Sequence, residues 1–347
     1  RIDVDGEDRI SSKGISDAMP EGGNPALVVK GNIIAVSGVT TYYSAVTESN
    51  EPKGMGVAYS VDSGDTWKFI EQPIVENPEN GLYHQIEWGG QTLKILAVTT
   101  AVNNVSYDLA IGGDYIYSTS WAGGLRRFNF TDDNPSWEII PLPMDNQSEL
   151  ICGDIDTDVY ELNPKDPGDG GNHNHKAFSV LLVPSLDPAI SDTIWVGTAN
   201  GINRGEIIRT REEGAGPGGT DKITRCIEWV HYRFPYDGLS GNFVVGLAKQ
   251  KWNNKTTIWA ATMNADSQGE TRGLSYSRDG GETWKNTLLG ERIYNVFAKD
   301  SLILASSQSG LWKSFDGVNW AIFEPAIDRT FLSQSQILTD IVYTSVL

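Results

Sequence analysis

Four short stretches of the chain hold side chains at spacings that chemistry uses. "GDIDTDVYELNP", from Gly153, sets Asp154, Asp156 and Asp158 at alternate positions, with Glu161 close behind. Wrapped into a loop, such a row offers hard oxygen ligands to calcium. Laid along a strand, the same carboxylates share one solvated face and hold nothing. The match to a calcium loop is partial, because Val159 stands where that loop turns on glycine and Lys165 where it ends on glutamate. "RIDVDGEDR" gathers Asp3, Asp5 and Asp8 around Gly6, either a short calcium loop or a polar N-terminal arm. "GGNHNH" holds His173 and His175, which on a strand would face one way and could ligate zinc or copper. The "NPKDPGDGG" before them points instead to a mobile loop, and His84 and His231 read as hydrogen-bonded spectators. The fourth stretch, "YSVDSGDTWKF" from Tyr59 to Phe69, packs carboxylates, hydroxyls and a glycine into a loop closed by tryptophan. It admits three readings: a metal loop, a catalytic acid, or an anchor for a turn.

Repetition favours the third. "GVAYSVDSGDTWKFI" starts at Gly56, "GLSYSRDGGETWKNT" at Gly273 and "GLWKSFDGVNWAIF" at Gly310. Each runs through glycine, an apolar strand, Ser-x-Asp, a glycine turn and tryptophan. Weaker copies start at Gly124, keeping Trp137, and at Gly201, keeping Trp229 but with "REEGAGPGGTDK" in place of the turn. Upstream of each copy lies a strand rich in small residues ("NIIAVSGVT", "DYIYSTSWAGG", "TIWVGTANG", "TIWAATMN", "LILASSQSG"). A further apolar strand comes before that ("ALVV", "LKILAV", "FSVLLV", "FVVGLA", "IYNVFA"). The unit is therefore three strands, a turn and a fourth strand, used five times with a period of about 64 residues. A sixth unit begins at "ILTDIVYTSVL". Four-stranded units repeated along a chain predict an all-β fold, a β-propeller, with six or seven blades in total.

Composition narrows the function. The chain has 347 residues, 39% of them hydrophobic, with 37 glycines among short apolar runs, as many turns and short strands require. A net charge of -18 opposes binding to nucleic acid or anionic membrane. Cys152 and Cys226 are the two cysteines, so zinc ribbons and CxxC redox motifs are excluded, while one disulfide and two buried thiols both stay open.

"SVDSGDTW" (Ser60 to Trp67) and "SRDGGETW" (Ser277 to Trp284) resemble the Asp-box, or BNR repeat, and "SFDGVNW" (Ser314 to Trp320) resembles its shortened form. Secreted bacterial propellers, sortilin-type receptors, xyloglucanases, photosystem-assembly-factor-like propellers and sialidases share it. The resemblance implies a box in the hairpin between the third and fourth strands of a blade, on the face away from the ligand. Gly64 and Gly281 then supply positive φ, and Asp62, Asp279 and Asp316 accept backbone N–H groups. Ser60, Thr66, Ser277, Thr283 and Ser314 add bonds of the same kind, Trp67 and Trp284 fold into the gap between neighbouring blades, and Trp320 closes the shortened box. The sialidase pattern of converging arginines is missing from the sequence, and no G-x-S-x-G marks a serine hydrolase. A xyloglucanase-like glycosidase needs only two suitably spaced carboxylates and stays open.

The expected organisation is an N-terminal arm over 1–24 and a propeller over 25–347. Its blades are expected at 25–80, 81–145, 176–240, 241–290 and 291–328, with a partial one at 329–347 and an insertion at 146–175. The ligand is expected opposite the boxes, on loops joining first to second strands and blade to blade, with Tyr42, Tyr43 and Trp121 as contacts. The functional expectation is a non-catalytic binding or scaffold module, extracellular, cell-surface or periplasmic, for a carbohydrate or protein, with calcium as a candidate ion. Alternatives are a xyloglucanase-like hydrolase and the sensor domain of a signalling receptor. The natural protein is expected to extend past Leu347.

Overall fold

The computed structural model describes residues 3–4, 7–8, 22–45, 47–75, 78–79, 81–96, 104–185, 192–212, 222–266 and 268–323. The partial blade at 329–347 and Asp5 lie outside them. Two two-residue strands, β1 (Asp3–Val4) and β2 (Glu7–Asp8), pair antiparallel, with Asp3 opposite Asp8. The first blade is β3 (Leu27–Lys30), β4 (Ile33–Ser44), β5 (Ser49–Ser60) and β6 (Lys68–Glu71). A separate hairpin follows, β7 (Tyr83–Trp88) and β8 (Gln91–Leu96). The second blade is β9 (Ser106–Gly112), β10 (Tyr115–Ser120), β11 (Gly124–Asn129) and β12 (Glu138–Ile140). Two short strands, β13 (Glu149–Leu150) and β14 (Glu161–Leu162), precede the third blade, β15 (Ala177–Val183), β16 (Thr193–Thr198), β17 (Gly201–Glu212) and β18 (Lys222–Tyr232). The fourth blade is β19 (Phe243–Trp252), β20 (Lys255–Asn264), β21 (Gly273–Ser277) and β22 (Lys285–Thr287). The fifth is β23 (Ile293–Lys299), β24 (Leu302–Ser307), β25 (Gly310–Ser314) and β26 (Ala321–Ile322). In each blade the strands hydrogen-bond in chain order, and β13 adds a fifth strand outside β18. Consecutive up-and-down sheets of this kind are the blades of a β-propeller, and the chain is all-β.

Two of the expected boundaries need correction. "LKILAV" does not open the second blade. Its described residues, Leu93–Leu96, fold back on Tyr83–Trp88, because Gly89 and Gly90 both take positive φ (57° and 80°) and close a two-residue hairpin. The blade's first strand is instead "SYDLAIG", paired with β10. Nor is 146–175 a simple insertion. Its Leu150 pairs with Trp229, and its Glu161 and Leu162 run parallel to Lys94 and Ile95 of β8. Cys152, in the same segment, is disulfide-bonded to Cys226 of β18.

The described chain divides into two compact units, Arg1–Ile194 with Gly205–Val230, and Trp195–Arg204 with His231–Leu347. In the first, inward residues of blade one (Ala35, Val57, Tyr59) interleave with those of blade two (Leu109, Ile116, Phe128), and the rings of Tyr59 and Phe128 sit 5.3 Å apart. In the second, Trp259, Leu274 and Tyr276 of blade four meet Ile293, Val296 and Ile303 of blade five. Each buried Val, Leu, Ile or Phe side chain among them contributes roughly 1.5–3 kcal/mol relative to exposure.

The glycine that opens each repeat has a local reason. Gly56, within β5 where β6 pairs with it, and Gly273, which opens β21, take φ of 139° and 153°. A Cβ there would fall 2.2 Å from Ile70 O and 2.9 Å from Thr287 O, carbonyls at the fourth strand. Only glycine lets the third and fourth strands close at that point.

Candidate functional site

The box turns are closed hydrogen-bonded units. Ser60 Oγ donates to Asp62 Oδ1 (2.7 Å) and accepts from Gly64 N (2.8 Å). Asp62 accepts from Thr66 N (2.8 Å) and Thr66 Oγ1 (2.6 Å). The set repeats at Ser277, Asp279, Gly281 and Thr283. The shortened turn does the same with Ser314 and Asp316, Asn319 standing in for threonine. Gly64 and Gly281 take φ of 92° and 102°.

The tryptophans differ in role. Trp284 packs edge-on against Trp195 (6.1 Å) and Tyr232 (6.0 Å) of blade three, and Trp320 against Trp259 of blade four (6.4 Å). Trp137 of blade two donates to Glu71 O of blade one (2.7 Å). Trp67, by contrast, packs on Ile34, Val36, Ala58 and Phe69 of its own blade and donates to Gly64 O (3.1 Å).

Hydrogen bonds hold the box carboxylates ionised. Thr66 above all keeps Asp62 at about 2, and Thr283 does the same for Asp279. Asp108 goes the other way: burial pushes its carboxyl up to about 7 although it accepts from Leu109 N and Val180 N (both 2.9 Å). An unfolded aspartate titrates near 3.9. The box groups therefore add stability above about pH 4 that is lost as pH falls through about 2. Asp108 subtracts stability as pH rises from about 4 through 7, because there the unfolded chain ionises first. Melting temperature measured against pH is expected to peak near pH 4–5. The difference curve against Asp108→Asn should isolate the neutral-side decline, and a difference curve flat from pH 4 to 8 would refute the assignment.

Turns after first and third strands lie at one end of an up-and-down sheet, and turns after second strands at the other. The loops expected to join first to second strands in fact join second to third, which is why they lie away from the boxes. The first of them is not a loop. Thr40–Lys53, Thr41–Pro52, Tyr42–Glu51, Tyr43–Asn50 and Ser44–Ser49 are cross-strand pairs, so β4 and β5 run on as a two-stranded ribbon past β3 and β6. The β-branched and aromatic run T-T-Y-Y favours extended backbone. Tyr42 Oη donates to Glu51 (3.2 Å), and Tyr43 is 65% exposed. Trp121, in the corresponding turn of blade two, is half-buried against Phe178 (5.5 Å), with Lys176 Nζ 5.4 Å from its ring.

At the foot of the ribbon lies a donor-rich patch that the sequence reading missed. Gly54 sits so close to Asn104 that a Cβ would be 2.2 Å from Asn104 O. Asn104 Oδ1 accepts from Arg126 Nη1 (3.2 Å), which also donates to Pro73 O (3.2 Å). Ser118 Oγ donates to Ser106 Oγ (2.8 Å), and Ser106 Oγ to Gln72 Oε1 (3.3 Å). The signal was the Arg-Arg pair in "GLRRFNF". Neighbouring residues of a strand point to opposite faces, so in a blade covered on both faces two guanidinium groups had to be buried. Arg127 takes one face and binds Glu138 with two bonds (2.6 and 3.1 Å). Arg126 takes the other.

Asp154, Asp156 and Asp158 occupy a chain of turns and are exposed; Asp156 Oδ1 accepts from Asp158 N (3.2 Å). Among the described residues no group of three or more His, Cys, Asp or Glu is placed to share a metal. The "HNH" stretch is not a loose loop. It forms a 3-10 turn whose amides Asp145 caps, and His175 is buried between Asn163 N (2.9 Å) and Leu142 O (3.1 Å). His231 is buried with Nε2 2.6 Å from Asn200 O.

No protein-family model and no curated protein sequence matches the chain. Solved structures do align with it. One is a GH74 enzyme of Niastella koreensis, 11% identical with a TM-score of 0.40, covering 88% of this chain and 46% of that one. Another is the extracellular domain of a putative hybrid two-component system from B. thetaiotaomicron (11%, TM-score 0.39, covering 93% of this chain and 35% of that one). A third is the β-propeller domain of Cps50 (Swd1) from Myceliophteria thermophila (9%, TM-score 0.31, 83% and 94%). The chain thus spans less than half the length of the first two. At this distance the fold rests on the strand order itself.

Proposed function

We propose that this is a non-catalytic binding propeller of the cell surface or extracellular space that grips a carbohydrate or protein at the end of its blades away from the box turns. The observation that carries the reading is the ribbon of β4 and β5, which holds the exposed ring of Tyr43 on paired backbone. An aromatic face on a pre-organised element stacks on sugar rings or peptide with little loss of conformational freedom. The Cys152–Cys226 disulfide supports an oxidising compartment. Glycan and peptide arrays are expected to give ligands that bind without turnover, with Tyr43→Ala weakening binding about tenfold.

A further inference from the structure

Between blades four and five, at their box end, lies a cavity of about 260 Å³. Strand lengths make it. β19 and β20 stay paired as far as Trp252 and Lys255, whereas β21 stops pairing with β20 at Ser277, opposite Ile258. The overhanging hairpin turns two rungs toward blade five, Trp252 with Lys255 and Gln250 with Thr257, because cross-strand partners share a face. Gln250 ties the two blades together beneath: its Nε2 donates to Asp300 O of blade five (2.7 Å), and its Oε1 accepts from Trp259 Nε1 (3.1 Å). Blade five supplies the other wall with Ile303, Phe315 and Asp316, and Arg278 from the box of blade four completes the lining.

The lining is aromatic, cationic and unsatisfied. Trp252 is 44% exposed and Phe315 64%, so both rings stand open to a ligand. Lys255 and Arg278 pair with no carboxylate among the described residues; Arg278 donates Nη2 to the neutral carbonyl of Asp316 (3.3 Å). The acid in the wall is spent, since the Asp316 carboxylate accepts from Ser314 Oγ, Val318 N, Asn319 N and Asn319 Nδ2 within its own turn. Thr257 is 5% exposed, and its hydroxyl makes no hydrogen bond among the described residues. In a chain of net charge -18, two cations left without a counter-charge beside open rings call for an anionic ligand.

We propose that the cavity binds a uronate, the carboxylated sugar ring of an acidic polysaccharide. The apolar face of the ring stacks on the aromatic lining, its carboxylate pairs with Arg278 and Lys255, and a ring hydroxyl bonds to Thr257 Oγ1. The volume lies just under the range of about 300–1,000 Å³ that takes drug-sized ligands, so one ring enters and the rest of the polymer stays outside. An acidic peptide would also neutralise the cations, but aspartate and glutamate side chains bring no ring face for Trp252 and Phe315. The inference is independent of what the ribbon binds.

The test is a ligand-observed NMR titration of the whole chain with sodium glucuronate. Glucose, the ring without the charge, and sodium acetate, the charge without the ring, are titrated beside it. Glucuronate is expected to bind with a dissociation constant on the order of 1–10 mM, and both controls at least about tenfold more weakly. Trp252→Ala and Arg278→Gln are exposed changes that leave the Ser–Asp bonds of the box turns in place, and each should weaken binding about tenfold. Thr257→Val keeps the shape without the hydroxyl and should weaken it about threefold. No binding up to about 100 mM glucuronate, equal binding of glucose or acetate, or undiminished affinity in Arg278→Gln would each overturn the proposal. Polyglutamate displacing glucuronate more effectively than polygalacturonate would assign the cavity to acidic peptide and overturn it as well.

Discussion

Replacing Cys152 and Cys226 together by serine lowers the unfolding free energy by roughly 4 kcal/mol, read as a fall in the urea midpoint. The bridge closes a sequence separation of 74 residues, and a loop of that length loses much of its freedom in the unfolded chain when cross-linked. The segment it anchors is otherwise held by the two-residue strands β13 and β14, by two bonds between Gln91 and Ile155 (2.8 and 2.9 Å) and by the bond from Tyr160 Oη to Leu142 O (2.8 Å). The sulfur of Cys226 and the Cβ of Cys152 lie 3.1 and 3.3 Å from where a Cβ on Gly89 would sit, so the β7–β8 turn packs directly on the bridge. Reduction of the native protein should reproduce the loss. An unchanged midpoint in the double variant would show that the strands and side-chain bonds of the segment suffice without the bridge.

Trp284→Ala costs roughly 3–5 kcal/mol, the range for emptying a large aromatic site. The ring is 7% exposed and touches Trp195 and Tyr232 of blade three from a turn of blade four, so its removal leaves a gap between sheets that cannot collapse independently. Its indole N–H has no partner among the described residues, so Trp284→Phe loses packing volume but no hydrogen bond. Trp320 differs, because its Nε1 donates to Thr287 Oγ1 (2.8 Å), and Trp320→Phe forfeits about 1 kcal/mol for that bond as well as the volume. Urea midpoints of the three variants separate the two effects. A Trp284→Ala midpoint within error of the wild type would mean the ring is no wedge.

The repeat was legible because each blade needs the same local solution: a glycine where two strands close, a serine and an aspartate to tie the turn, a ring to fill the seam. What escaped was anything made by residues distant in sequence. The hairpin of Tyr83 to Leu96 carries the same apolar lettering as a blade strand, and only its Gly-Gly turn says that it pairs with itself. The ribbon looked like a loop because its polar residues alternate with no core beneath them, which is also how a two-stranded extension reads. The patch at Arg126 depends on Gln72 and Asn104 from two connections, Ser120 at the end of β10 and Gly123 in the turn after it, which no local pattern links.

In four of the five blades the outermost strand is short: four residues in β6, three in β12 and β22, and two in β26. A strand edge offers unpaired amides and carbonyls to any passing chain, and long flat edges seed fibrils. Edges this brief give an incoming strand too few bonds to dock. With a charge of -18 repelling copies of the protein from one another, the molecule is built to stay dispersed at high concentration.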